Sequence, residues 1–110
     1  MPEQLTPILR TAAAGAARVW YARLGFATDW EHRFAPDLPL FVSISRGPVR
    51  IFLSEHEGDA RPDTLLYLHL SDLTAVAAEF AVPVGEAPWG PEIELRDPDG
   101  NRLRIGLAED

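Results

Sequence analysis

Three histidines, His32, His56 and His69, are the side chains of this 110-residue chain best suited to proton transfer or metal ligation near neutral pH. Their spacing argues against both uses. None has a histidine or carboxylate at i+2 or i+4 that would make a ligand pair. The run Glu55-His56-Glu57, at a predicted strand end, reads as a solvated charge cluster. The chain has no cysteine, which excludes thiolate nucleophiles, thiolate metal sites and disulfides. It also has no glycine-rich phosphate loop and no nucleophile-base arrangement. The chemistry on offer is non-covalent. Aromatic rings interleaved with charge can stack on a planar molecule and hold a cation.

The elements that position those rings can be read from periodicity and turn residues. A short strand at 7–10 precedes an alanine-rich helix from Thr11, a candidate N-cap, to about Leu24, and Gly25 supplies a left-handed cap. That helix would bury Ala13, Ala16, Ala17, Trp20 and Leu24. Strands follow at 28–34, 40–46 and 49–55, separated by proline- and glycine-bearing turns. After a linker-like stretch at 57–63 the order repeats. A strand at 64–70 leads to a helix capped by Ser71 or Asp72 and ending at Ala81, then to a short strand at 82–85 and a hairpin around Asp97-Pro98-Asp99-Gly100-Asn101. Setting Trp20 against Phe80 also sets Ala17 against Ala77 and Leu5 against Leu65, a weak internal repeat. The expected fold is therefore α+β. Two βαβββ modules, 5–56 and 63–108, lie within one domain of residues 1–110 and form a curved mixed sheet around a cavity.

Composition narrows the function classes. Hydrophobic residues make up 46% and charged residues 25%, as in an ordinary folded domain. A net charge of -7 repels phosphate backbones, so no nucleic-acid partner is expected. No apolar run reaches the ~18 residues of a membrane span, and the N-terminus has no signal-peptide pattern. The expected location is cytoplasmic, with no membrane partner.

Strand alternation assigns faces. Leu66, Leu68 and Leu70 should pack under the second helix, leaving Leu65, Tyr67 and His69 on the other face. Ile93, Leu95, Leu103 and Ile105 join the helix side, and Glu92, Glu94, Arg102 and Arg104 face away from it. In the first half Arg50, Phe52 and Ser54 face away from the core, and Trp30, His32 and Phe34 share one face of their strand. The candidate ligand-binding residues are Trp30, His32, Phe34, Phe52, Tyr67, His69, Trp89, Glu94 and Arg104. Competing readings stay open: Trp30 and Phe34 as dimer-interface residues, His69 as an interior histidine, and Arg104 paired with Glu94 across the hairpin.

Three segments, VWYARLGF (19–26), LLYLHLSDL (65–73) and RDPDGNRLRI (96–105), carry a resemblance to the vicinal-oxygen-chelate superfamily, the group of glyoxalase I, extradiol dioxygenases and bleomycin-resistance proteins. PWG at 88–90 followed by ELRDPDGN is similar to the bleomycin-resistance branch. The resemblance implies that Arg104 stands where metallo members carry a metal-binding glutamate, and that the other ligand positions fall on Leu65, near Leu5 and near Phe52. None of these side chains donates to a divalent cation, so no metal, no other cofactor and no catalytic residue is expected. It also implies that Trp30, Tyr67 and Trp89 match aromatic positions of a bleomycin-binding groove, with His69 where that branch has a further tryptophan. A homodimer is implied, often with the N-terminal strand exchanged. The function so indicated is sequestration, without turnover, of a planar, cationic, antibiotic-like small molecule. The alternatives are a metal-independent or differently metallated lyase or isomerase using His69 with Glu94, and an orphan dimeric domain with a vestigial groove.

Overall fold

The computed structural model describes residues 3–108. The chain forms two compact units that divide between Pro62 and Asp63. The first contains β1 (Ile8–Arg10), α1 (Ala14–Ala22), β2 (Ala27–His32), β3 (Phe41–Arg46) and β4 (Val49–Ser54). The second contains β5 (Leu65–Leu70), α2 (Leu73–Phe80), β6 (Gly85–Ala87), β7 (Gly90–Arg96) and β8 (Arg102–Leu107). Each unit has one four-stranded sheet, in the order β1-β4-β3-β2 and β5-β8-β7-β6. The first strand of each pairs parallel with the last, and the other pairings are antiparallel. The α+β architecture and the repeated strand order agree with the pattern expected from the sequence. Ala17 of α1 and Ala77 of α2, matched by the internal repeat, are both buried.

One face of each sheet is the core. In the first unit Leu9, Val42, Ile44, Ile51 and Leu53 are buried, as are Ala14, Ala17 and Tyr21 on α1. In the second, Leu68, Leu70, Ile93, Leu95, Leu103 and Ile105 are buried with Leu73, Val76 and Ala77 of α2. Alternation then turns the intervening residues of each strand to the other face.

Three details differ from the sequence expectation. Helix α1 starts three residues later than Thr11, because the Thr11 N–H donates to the Ser54 carbonyl at 2.9 Å and so prolongs the pairing to β4. The Ala14 N–H instead finds the Glu55 carboxylate at 2.8 Å. Of the expected stripe Ala17 and Leu24 are buried and Trp20 is half-buried, but Ala13 and Ala16 are exposed, and Ala14 and Tyr21 are buried in their place. Alanine suits either stripe, so the docking of the first turn on Glu55 decides the rotation. The third difference is the expected strand at 82–85, which begins only at Gly85. Ala81 takes a left-handed conformation (φ 53°) and the Val82 N–H returns to Ala77. Pro83 has no N–H to offer a ladder.

The turn at 97–101 is built as its composition implies. Asp97 Oδ1 accepts the N–H groups of Asp99 (2.8 Å) and Asn101 (3.0 Å), and Oδ2 accepts Asn101 Nδ2 (2.9 Å). Gly100 supplies the positive φ of 84°. Asn101 Oδ1 then accepts the Thr64 N–H at 3.0 Å, tying the hairpin to the start of β5.

Candidate functional site

In the first unit the open face of the sheet carries a row set by register: Ile8, Phe52, Ser43 and Trp30 on four adjacent strands. The next row is Arg10, Ser54, Phe41 and His32. Trp30 stacks on Phe41, with ring centroids 6.0 Å apart and planes 15° from parallel, and lies 5.5 Å from Phe52. His32 meets Phe34 edge-on at 4.5 Å, and Phe34 meets His56 at 6.3 Å. Trp30, His32, Phe34, Phe41, His56 and Asp59 line a cavity of about 360 Å³. Four candidates from the sequence therefore gather here, with Phe52 packed behind the lining.

A β-bulge aims Trp30. Register slips by one between Thr28 and Trp30, so Asp29 is the extra residue and the alternation reverses at that point. Asp29 accepts the Ser43 hydroxyl at 2.9 Å and the Ser45 hydroxyl at 2.6 Å, with Arg50 Nε 3.7 Å away. The Ser45 bond does most to hold the Asp29 carboxyl below its usual value; desolvation opposes it, and Ser43 and Arg50 add to the lowering. Glu55 is likewise lowered. Desolvation pushes it up, but the N–H groups of Ala14 and Leu40, with Arg33 and Arg10 nearby, outweigh it. Glu55 is thus a capping residue of α1, and the solvated-cluster reading of Glu55-His56-Glu57 fails for it. His56 turns to Phe34.

The second unit carries the other five candidates. Its open face reads in rows across β5, β8 and β7: Leu65, Arg102, Arg96; then Tyr67, Arg104, Glu94; then His69, Gly106, Glu92. Tyr67, His69, Trp89, Pro91, Gly106 and Leu107 line a cavity of about 580 Å³. Trp89 Nε1–H is shared between the Tyr67 hydroxyl oxygen (2.9 Å) and Glu92 Oε2 (3.1 Å). The Tyr67 hydroxyl in turn bonds to Glu92. Its pKa is raised by desolvation, by that hydrogen bond and by the Glu92 charge, against smaller opposing effects of Trp89 and Arg104. His69 lies 5.0 Å from the Tyr67 ring. Glu94 and Arg104 share the row of Tyr67 without belonging to the lining, and bond to each other, Nε to Oε1, at 3.2 Å.

Gly106 makes this arrangement possible. A Cβ there would stand 2.6 Å from the Tyr67 hydroxyl oxygen and 3.2 and 3.3 Å from Cε1 and Cζ of the ring. Tyr67 leans over a position with no side chain. Glu92, Gly106 and, in the first unit, Asp29, Phe41, His56 and Asp59 are residues that sequence reasoning missed as parts of a site. Only Glu92 carried a usable signal, since it shares its strand face with Glu94.

The residues at the expected metal positions do not fit a divalent cation. Leu65, Phe52 and Leu5 have no donor atoms, and Arg104 carries a guanidinium that stays protonated. Among the described residues, no group of three or more histidines and carboxylates is placed to hold a metal ion. No helix is long and apolar enough to cross a membrane among the same residues.

Comparison with known proteins gives a consistent picture. The family model described as glyoxalase superfamily protein matches residues 1–110. No curated protein matches the chain in sequence. Among solved structures, the bleomycin resistance determinant encoded on transposon Tn5 is similar, with a TM-score of 0.78, 21% identity, and coverage of 99% of this chain and 100% of that one. The bleomycin-binding protein of bleomycin-producing Streptomyces verticillus, solved with copper(II)-bleomycin, has a TM-score of 0.72 and 29% identity over 99% of this chain and 100% of its own. TnmS3, an antibiotic-binding protein from Streptomyces sp. CB03234, has a TM-score of 0.76 and 17% identity over 99% and 98%.

Proposed function

The chain belongs to the glyoxalase superfamily, and from that membership we propose that it is a binding protein of the bleomycin-resistance type, sequestering a planar, cationic, antibiotic-like small molecule without turning it over. The observation that carries this reading is the cavity of the second unit, with Tyr67, His69 and Trp89 on its walls. Its volume suits a drug-sized group, and its rings offer the flat faces that stacking needs. Trp30, His32, Phe34 and Phe52 give the first unit a second aromatic surface of the same kind. Similarity to structures that bind bleomycin and another antibiotic supports the choice of ligand class. The lyase or isomerase alternative finds less support, because Glu94 is engaged by Arg104 and His69 lies against Tyr67.

Two experiments test this. Bleomycin added to the purified protein is expected to quench tryptophan fluorescence saturably and to raise the melting temperature. At a hundred times its Kd, the drug adds about 2.7 kcal/mol of apparent stability. Trp89→Ala should weaken both responses. A titration that stays flat with bleomycin and other planar drugs withdraws the proposal, and a shift with divalent metal alone redirects it to an enzyme. We also propose a homodimer, with exchange of β1 as its variant form. It is supported by the exposed Leu5, Val19 and Phe34 and by the short β1 and the edge strand β2 of the first sheet. Light scattering behind size exclusion that finds only a 12.2 kDa species removes it.

A further inference from the structure

Resting on that binding reading, we propose that Glu92 is the anion that selects the positive charge of the bound molecule, an ammonium, an amidinium or a quaternised ring nitrogen, in the cavity of the second unit. The two carboxylates on the open face of β7 differ in their partners. Glu94 faces Arg104 across the hairpin and bonds to it at 3.2 Å, so its charge is largely compensated. Glu92 is one row further from the turn, and its partners are the neutral Trp89 Nε1–H and the Tyr67 hydroxyl. These leave its full negative charge in place. A carboxylate has about four lone-pair sites, and two neutral donors leave room for a ligand N–H or a close-approaching cation.

Space is arranged around the same residue. The cross-strand neighbours of Glu92 are Gly106 on β8 and Gly85 on β6, so neither adjacent strand places a side chain beside it. On the Gly106 side the gap is taken by the Tyr67 ring, which brings its hydroxyl to the carboxylate. The aromatic residues that line the cavity, Tyr67 and Trp89, are the two that hold Glu92 in position. A carboxylate fixed at the rim of aromatic rings combines an ion pair with cation–π attraction. Trp89 and Tyr67 thereby act as positioning residues for Glu92 as well as walls.

The test uses two planar probes that differ in charge, N-methylacridinium and neutral acridine, titrated by fluorescence at about 0.15 M salt, where long-range attraction to the acidic surface is screened. The wild-type protein is expected to prefer the cation by on the order of ten-fold. Glu92→Gln keeps an acceptor for Trp89 and Tyr67 but removes the charge, and should abolish the preference, the two probes then binding with equal affinity. Glu79→Gln removes the same charge from α2 and should leave the preference intact. Equal binding of the two probes by the wild type, or a preference that survives Glu92→Gln, overturns the role of Glu92 while the binding reading stands. Failure of both probes and of bleomycin to bind overturns both.

Discussion

Replacing Gly106 with alanine separates the Tyr67 seat from the stability of the sheet. The added methyl would meet the Tyr67 hydroxyl oxygen at 2.6 Å and ring carbons at 3.2 and 3.3 Å, so the ring must move. It can do so, because Tyr67 is 38% exposed and the group struck is the far end of its side chain. Overpacking a closed core costs about 1–3 kcal/mol; here the ring swings outward, so the low end applies. The move breaks the Trp89–Tyr67 bond, worth about 0.5–1.5 kcal/mol when buried and less at this exposure. Against this, Gly→Ala at a residue without positive φ gains about 0.4–1 kcal/mol from the unfolded chain. The net loss in stability is expected to be at most about 1 kcal/mol, read from urea unfolding midpoints. The local effect should be larger. Once displaced from Glu92, the Tyr67 hydroxyl should titrate nearer its ordinary value, followed by tyrosinate absorbance, and the affinity for bleomycin should fall about ten-fold, as expected when a stacking face is lost. Destabilisation beyond about 3 kcal/mol, or an unchanged hydroxyl titration, would show that Tyr67 does not depend on this seat.

The turn at 97–101 should be sensitive for a different reason. Asn101→Ala empties a buried position, removes the acceptor of the half-buried Thr64 N–H and one donor to Asp97, and is expected to cost about 2–4 kcal/mol in chemical denaturation; a loss under 1 kcal/mol would deny the side chain that role. Acid stability should follow Asp29 and Glu55. Both carboxyls are held below their ordinary values in the folded protein. Their contribution is therefore complete above the unfolded values, about 4, and is lost as pH falls through the lower folded values. Asp29→Asn and Glu55→Gln should each flatten the acid limb of a melting-temperature profile and leave its slope above about pH 6 unchanged.

Much of this was legible in the sequence. Period-2 alternation in 65–70 and 102–107 assigned Tyr67, His69 and Arg104 to the open face, and the composition of the 97–101 turn fixed the hairpin. Counting outward from that turn even yields the Glu94–Arg104 pair and sets Glu92 opposite Gly106. The functional weight of that last pairing was not legible, since the reach of Tyr67 over Gly106 comes from β5, distant in sequence. The bulge at Asp29 was hidden too: one inserted residue leaves the hydrophobic pattern intact while reversing which residues share a face. The rotation of α1 could not be read from alanines that fit either stripe. It was settled by Glu55, whose charge had suggested solvent.

The parallel pairing of the first and last strands in each unit has a consequence for how the chain assembles. The β3–β4 and β7–β8 hairpins close over short turns, so little chain entropy is lost before their contacts form. The Ile8–Phe52 and Leu65–Arg102 pairings join the two ends of a unit and must await the segments between. β1 is short and β5 twice its length, so the last seam to close in the first unit is also the thinner of the two. Native-state hydrogen exchange should find the amides of that seam opening before those of the β3–β4 hairpin. The same seam gives a nascent chain a checkpoint: each half becomes a finished object only when its final strand has left the ribosome and found its first.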